Sequence, residues 1–386
     1  MKNKKERVFV AMSGGVDSSV AALLLKRNGY DIVGVFMRSY NIDGCEERDA
    51  EDARRVAGKL GIPFYVWDFE EEYKKKVVDY MIDGYRRGLT PNPDVMCNKE
   101  IKFGLFLERA LKFGADYIAT GHYVRRQVIK LKVPKVFKVG KKKDHQLYEL
   151  YKLLTACDSA KDQSYFLWTL TQEQLKHCLF PLGDYLKPEV RKIAKKAGLS
   201  TAEKKDSQGI CFLGKVTLAD FLSGYLPAKK GVVFNTGGEI IGKHSGAHFY
   251  TIGQRHGLAS GDWKRTASVS KPFYVAEKNM RKNTIIVAEG KDEKSLFKKE
   301  VELTDVNFIN PKTHFLIPLI RTNKGYKEMK VLAQVRYRQP LFSALFIIHN
   351  SLFKLVFEKP QRFVASGQSA VFYSENGEML GGGVIV

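Results

Sequence analysis

The chain has 386 residues, too many for one ordinary core and enough for two or three domains. With 44% hydrophobic residues, 27% charged residues and 12 prolines it is globular rather than disordered, and no apolar run approaches the ~20 residues that span a bilayer. Lys and Arg total 64 against 42 Asp and Glu, a net +22 that suits a polyanion such as nucleic acid or else reflects a lysine bias of the source.

The basic start, MKNKKERVFVAM, runs directly into a strand-like segment without a signal-peptide core, so a cytoplasmic protein is expected. Residues 7–12 (RVFVAM) predict a strand ending in SGGVDS, and SSVAALLLKRNG predicts a helix stopped by Gly29. Further strands are expected at 31–37, 63–67 and 115–119, with helices at 45–60 and 70–87. Strands separated by such helices mean βαβ units and an α/β, doubly wound parallel sheet. Residues 128–144 alternate apolar residues with lysine, as a basic hairpin or a solvated loop. Helix is expected over 160–197, from DQSYFLWTLTQEQL and KPEVRKIAKKAG. Beyond residue 206 glycine becomes frequent, and from Pro272 short strands and turns predict an all-β, barrel-like tail. The expected division is 1–205, a small central domain at 206–272, and 273–386.

Ser13-Gly14-Gly15-Val16-Asp17-Ser18 lies between strand and helix, where two glycines let backbone N–H groups face phosphate oxygens beside the positive helix end. It is not a Walker loop: no GK[ST] follows, and no lysine is placed to stabilise a γ-phosphate. The five cysteines, Cys45, Cys97, Cys157, Cys178 and Cys211, form neither a disulfide framework nor a CxxC metal site. Cys97 follows Pro-Asn-Pro-Asp and opens a helical run, where the helix dipole, Lys99 and Lys102 favour a thiolate. Cys211 is flanked by apolar residues and reads, by itself, as buried and structural. Asp94 is placed both to cap the turn after Pro93 and to give general acid–base help. Asp17 is a candidate to assist magnesium and pyrophosphate, although the sequence holds no metal-ligand cluster.

The segment AMSGGVDSS resembles the PP-loop of ATP pyrophosphatases. TPNPDVMCNKEIKF (90–103), ATGHY (119–123), KDQSYFL (161–167), DSQGICF (206–212), RYRQ (336–339) and SGQSA (366–370) narrow the resemblance to the bacterial tRNA-specific 2-thiouridylases, over nearly the whole chain. The resemblance implies ATP, with Mg2+, on Ala11, Met12, Ser13, Gly14, Gly15, Val16, Asp17, Ser18, Met37 and Gly121. It implies that Cys97 is a nucleophile and that Cys211 carries a persulfide from a sulfur-relay donor protein. The two would end as a disulfide after sulfur replaces the C2 oxygen of the wobble uridine, leaving AMP and pyrophosphate. It places the target base at Asn92, Pro93 and Asp94, and other tRNA contacts at His122, Lys161, Asp162, Gln163, Arg336, Tyr337 and Gln368. From the residues alone, His122 is equally a core histidine, and Arg336 and Tyr337 an ordinary exposed strand face. Cys45, Cys157 and Cys178 match no family position and read as bystanders. The chain departs from the family in a longer, lysine-rich 128–144, in an expanded 290–330, and in Gln208 where threonine is usual. A monomer with no membrane contact is expected. An amidating ligase with the same loop would leave both thiols dispensable, and a non-catalytic RNA binder would not need ATP.

Overall fold

The structure, a computed structural model, describes residues 5–42, 44, 46–134, 145–206, 209–214, 216–255, 271–310, 320–321 and 327–386. Strand β1 (Arg7–Ala11) buries Val8, Phe9, Val10 and Ala11 together, as a parallel strand covered on both faces must. It is followed by α1 (Val16–Arg27), β2 (Asp31–Arg38), α2 (Glu46–Leu60) and β3 (Phe64–Asp68). A helical run comes next: α3 (Glu70–Tyr73), a π-helical stretch at Lys74–Val78, α4 (Asp79–Arg86), α5 (Pro93–Met96), a second π-helical stretch at Cys97–Leu105, and α6 (Phe106–Lys112). The expected helix at 70–87 is therefore present with a π-helical insert. Strand β4 (Tyr117–Ala119) pairs in parallel with β1, as β1 does with β2 and β2 with β3.

The lysine-rich segment is flanked by an antiparallel hairpin of β5 (Arg125–Pro134) and β6 (His145–Leu154). Residues 135–144, at the centre of that expectation, lie outside the described residues. Residues 160–197 differ from the expected helices. Ser164–Leu167 makes one 3-10 turn, α7 (Gln172–Lys176) is a short helix capped by Thr171, and β7 (Cys178–Leu179) is a strand. The cause is that Tyr165, Leu167, Trp168 and Leu170 are all buried, so the segment is wrapped in core rather than laid on it by one helical stripe. Strand β7 adds to β4, completing a parallel sheet ordered β3-β2-β1-β4-β7. Helix α8 (Lys187–Lys196) is as expected. Val8 and Val10 pack with Val20, Val56 and Val190 of α1, α2 and α8, while Phe9, Val33 and Val35 face the helical run on the other side. The first unit is thus the expected α/β doubly wound parallel sheet.

A 3-10 turn at Cys211–Leu213 and α9 (Leu218–Ser223) lead to a second sheet of β8 (Gly231–Asn235), β9 (Ile240–His244), β10 (Phe273–Asn279) and β11 (Thr284–Glu289), ordered β10-β11-β8-β9. A division at 272/273 would cut this sheet, because β11 pairs directly with β8. We propose that the central unit ends after Glu289. The remaining strands are β12 (Phe297–Phe308), β13 (Ile320–Arg321), β14 (Lys327–Gln334), β15 (Phe342–His349), β16 (Leu352–Arg362), β17 (Ser369–Tyr373) and β18 (Glu378–Ile385). They run β12-β16-β15-β14-β17-β18, and pairing of β12 with β18 closes the ring into an antiparallel barrel around Val331, Phe346, Phe357 and Phe372. The first strands of the tail, β10 and β11, belong to the central sheet instead. The β5–β6 hairpin pairs with β18 through Leu153 and Leu154, tying the first unit to the barrel.

Candidate active site

The phosphate loop is shaped by what cannot be placed in it. Gly14 has φ +71°, and a Cβ there would lie 2.2 Å from the Asp49 carbonyl oxygen in the first turn of α2. Gly15 caps α1 in extended conformation, leaving the first amides of the helix directed outward. The Ser13 amide donates to Ser18 Oγ at 3.1 Å and Ser18 Oγ to the Gly15 carbonyl at 3.2 Å, which holds both hydroxyls at the loop's mouth. Gly121, just past β4, faces the same turn, and a Cβ there would lie 2.7 Å from the Ser18 nitrogen.

These groups line a cavity of about 600 Å³, within the usual size of ligand sites. Of the sequence-predicted residues it gathers Ala11, Met12, Ser13, Asp17, Ser18, Met37, Asp94, Cys97, Gly121, His122 and Gln163. Phe212 and Gly214, on either side of the 3-10 turn that Cys211 begins, line it too. The Cys211 side chain lies outside the described residues, as do Cys45 and Gln208. Glycine cradle, paired hydroxyls and apolar walls from Met12, Phe36 and Met37 fit a nucleoside triphosphate.

A buried cation that sequence reasoning missed stands behind the loop. Lys187, at the start of α8, is 8% exposed and places Nζ 2.8 Å from both carboxylate oxygens of Asp17 and 2.8 Å from Asp206. Tyr123 donates to Asp17 Oδ1 at 2.8 Å. Asp17 is therefore held at the loop by a lysine and a tyrosine. Nothing in the loop's own sequence signals Lys187, which lies 170 residues further along the chain.

Asp206 also accepts from Lys161 at 2.6 Å and Arg191 at 2.8 Å. Its partial burial alone would raise its pKa, but the Lys161 and Lys187 bonds outweigh this and hold it at about 2 against an ordinary 3.8. A depressed carboxylate adds stability above its ordinary pKa and loses it as pH falls through the folded one. The stability gap between wild type and Asp206→Asn should therefore shrink as urea unfolding is moved from pH 5 toward pH 2. An unchanged gap across that range would contradict the network's role.

Asn92 caps α5, its Oδ1 accepting from the Val95 amide at 3.2 Å, with Pro93 in the first helical position. The helix therefore begins one turn before Cys97, whose amide already bonds back to the Pro93 and Asp94 carbonyls. Cys97 is not the helix-opening residue expected, and it stands beyond the strongest part of the dipole, which falls off within the first turn. What places a cation with it is the π-helical winding. Five residues of α-helix would turn Lys102 about 140° away from Cys97, whereas bonding from i to i+5 reduces that angle, and both residues line the cavity. Lys99 is exposed and pairs with Glu100 instead. Burial pushes the Asp94 carboxyl up, partly offset by Lys102, in the sense that suits a proton carrier. Burial likewise drives His122 well below its ordinary pKa, so it is neutral, with Nδ1 2.7 Å from Thr120 Oγ1. Cys178 is buried, its Sγ donating to the Gln174 carbonyl, and its thiol is pushed far up, as befits a bystander.

Several residues expected to face tRNA make internal contacts in the structure. Asp162 accepts from the Ala156 amide at 2.9 Å and from Ser164 Oγ at 2.7 Å. Lys161 pairs with Asp206, Tyr337 packs on Phe166 with ring centroids 4.3 Å apart, and Gln163 accepts from the Tyr123 amide while reaching the cavity. Gln368 donates to the carbonyls of Thr90 and Pro91. Arg336 opens onto a separate groove of about 890 Å³ that also carries Lys294, Lys299, Lys359 and Arg362.

The chain matches three family profiles in order: a tRNA methyl transferase HUP domain over residues 6–215, a tRNA methyl transferase PRC-barrel domain over 219–289, and an aminomethyltransferase beta-barrel domain over 298–385. It is 44% identical to the tRNA-specific 2-thiouridylase MnmA of Geobacillus thermodenitrificans over 98% of this chain and 94% of that one. The protein of the same name from Bacillus cytotoxicus is also 44% identical, with the same coverage. The chain belongs to the tRNA-specific 2-thiouridylase family. The profile descriptions speak of methyl and aminomethyl transfer, but whole-chain identity to thiouridylases is the more specific finding, and a cavity that adds a buried cysteine to a phosphate loop agrees with it. In this thiouridylase-family chain the central profile ends at residue 289, where β11 ends.

Proposed function

We propose that this protein is an ATP-dependent tRNA-uridine 2-sulfurtransferase. It adenylates the C2 oxygen of the wobble uridine and replaces that oxygen with sulfur from a cysteine persulfide, releasing AMP and pyrophosphate. The observation that carries the reading is the single cavity shared by Ser13, Ser18, Asp94 and Cys97, with Phe212 and Gly214 beside Cys211. An amide-like oxygen does not leave unaided, and adenylation makes it part of AMP.

The α1 amides with Ser13 and Ser18 hold the phosphates, Gly121 leaves room for the nucleotide, and Met37 supplies apolar wall. Lys187 fixes Asp17 at the loop and keeps its charge neutralised. Asp94 moves the proton at the base. The outer sulfur of the Cys211 persulfide adds to C2. The Cys97 thiolate then attacks Cys211 Sγ, the old S–S bond breaks toward the sulfur on C2, and a Cys97–Cys211 disulfide forms as AMP departs. If Cys97 attacks first, sulfide is released and adds to C2, with the same disulfide left for an external thiol to reduce.

The partners are tRNA and a persulfide-donating relay protein, Mg2+ accompanies ATP, and the setting is the cytoplasm. Among the described residues no helix is long and apolar enough to cross a membrane. The groove with Lys294, Lys299, Arg336, Lys359 and Arg362 is suited to RNA phosphates, and Phe297 and Phe363 in its wall to stacking. Amidation by a related ligase is disfavoured because it gives Cys97 no task in the cavity. With α-labelled ATP, unmodified tRNA and a persulfide donor, one AMP should appear per thiouridine, and only when tRNA is present. ADP and phosphate as products would contradict the adenylation step.

A further inference from the structure

Between α8 and the turn at Cys211–Leu213 the described residues form no helix or strand, so their backbone carbonyls have no ladder partners. One side chain of α8 meets two of them. Arg191 Nη1 donates to the Ala202 carbonyl at 2.8 Å and to the Lys204 carbonyl at 3.0 Å, while Nη2 donates to Asp206 Oδ1 at 2.8 Å. A single planar guanidinium thus ties three alternate residues of the stretch to one helix position. Thr201 Oγ1 donates to Ser19 Oγ at 3.0 Å and Lys204 Nζ to Asp49 at 2.7 Å, which fastens the same stretch to α1 and α2. Cys211 follows five residues after Asp206. On its far side Phe212 is buried, with the rings of Tyr40, Tyr73 and Phe221 at centroid distances of 6.3, 5.8 and 5.6 Å. The turn is therefore held by apolar packing after Cys211 and by Arg191 before it.

We propose that Arg191 is a positioning residue for Cys211: by fixing residues 202–206 it limits where that cysteine can travel and raises its effective concentration at Cys97. The ion pair alone does not achieve this. The Arg191 side chain is 33% exposed, where a charge pair contributes little, and Asp206 keeps Lys161 and Lys187 without it. The two carbonyl bonds are what hold the backbone, and they need the guanidinium fork, which a lysine ammonium lacks. The disulfide part of the test rests on the two-thiol reading above, whereas the hydrogen-exchange part does not.

The experiment compares wild type with Arg191→Lys, which keeps a cation for Asp206 without the fork, and with Arg191→Met, which removes every donor. Each protein is equilibrated with oxidised and reduced glutathione. The two protein thiols and one glutathione disulfide give the Cys97–Cys211 disulfide and two glutathione thiols, and peptide mass spectrometry reads the ratio. The effective concentration of the pair should fall at least about tenfold in Arg191→Met and nearly as far in Arg191→Lys, as lost hydrogen bonds and lost orientation predict. Amide hydrogen exchange is read on the same proteins. The Ala202 and Lys204 amides, bonded to the Leu199 and Thr201 carbonyls, should exchange at least about fivefold faster in both variants. The amides of β1 should exchange as in wild type. An unchanged disulfide ratio despite faster exchange at 202 and 204 would overturn the proposal, and so would wild-type behaviour of Arg191→Lys, which would leave only the ion pair. Faster exchange throughout the parallel sheet would overturn it in favour of a general structural role. If wild type forms no Cys97–Cys211 disulfide, the two-thiol reading fails while the exchange result still decides whether Arg191 fixes the stretch.

Discussion

Gly14→Ala should abolish the response to ATP. The added methyl would lie 2.2 Å from the Asp49 carbonyl, a backbone atom fixed within the hydrogen-bonded first turn of α2, so the loop rather than the helix must move. A φ of +71° adds ~1–2 kcal/mol for any residue with a Cβ. Together with overpacking of ~1–3 kcal/mol, the cost is on the order of 2–5 kcal/mol. More important for activity, the amides that face the phosphates lose their alignment. Saturating ATP should raise the melting temperature of wild type and leave that of the variant unmoved, with turnover down at least ~10²-fold, the usual effect of losing one oriented donor. Gly29→Ala is the control: its φ is +89° but nothing lies within 4 Å, so it should lose some stability and keep the ATP response. A Gly14→Ala protein that still binds ATP normally would remove the loop from the mechanism.

Cys97→Ser should separate the two halves of the reaction. Oxygen replaces sulfur with little change of shape in a site 6% exposed, so the fold should survive with a loss of ~1–3 kcal/mol for the buried hydroxyl. A serine hydroxyl cannot displace sulfur from a persulfide, so thiouridine should fall to background. Adenylation needs the phosphate loop rather than the thiol, so pyrophosphate release and the tRNA adenylate should persist, while AMP, which departs only with sulfur transfer, stays on the tRNA. The measurement is pyrophosphate and thionucleoside from the same incubation. Loss of both together would make Cys97 a binding residue rather than a nucleophile.

Much of this was legible in the sequence, for reasons that differ by element. The parallel strands β1 and β2 announce themselves because burial on both faces demands continuous apolar runs, and Gly14 because its positive φ and the Asp49 carbonyl leave no room for a Cβ. The fifth strand, β7, was not legible: two residues carry no periodicity, and only pairing with β4 makes them a strand. Nor was Lys187, since an ion pair with Asp17 leaves no local trace in a helix that otherwise reads as amphipathic. The π-helical winding over Cys97–Leu105, from which both Cys97 and Lys102 line the cavity, is invisible to a pattern read at 3.6 residues per turn. Closure of the barrel by β12 and β18 depends on contact between strands remote in sequence. Motif resemblance gave no sign of the internal bonds that Asp162 and Gln368 make, Asp162 accepting from the Ala156 amide and Gln368 donating to the Thr90 carbonyl, because both partners are set by the fold.

The most direct test of the whole account is nucleoside mass spectrometry of unmodified tRNA incubated with ATP, magnesium and a persulfide donor, using wild type, Cys97→Ser and Cys211→Ser. The account predicts ATP-dependent 2-thiouridine at the wobble position with wild type and none with either variant. Thiouridine formed equally well by the Cys97→Ser protein, or none formed by wild type despite cleavage of ATP to AMP, would contradict it.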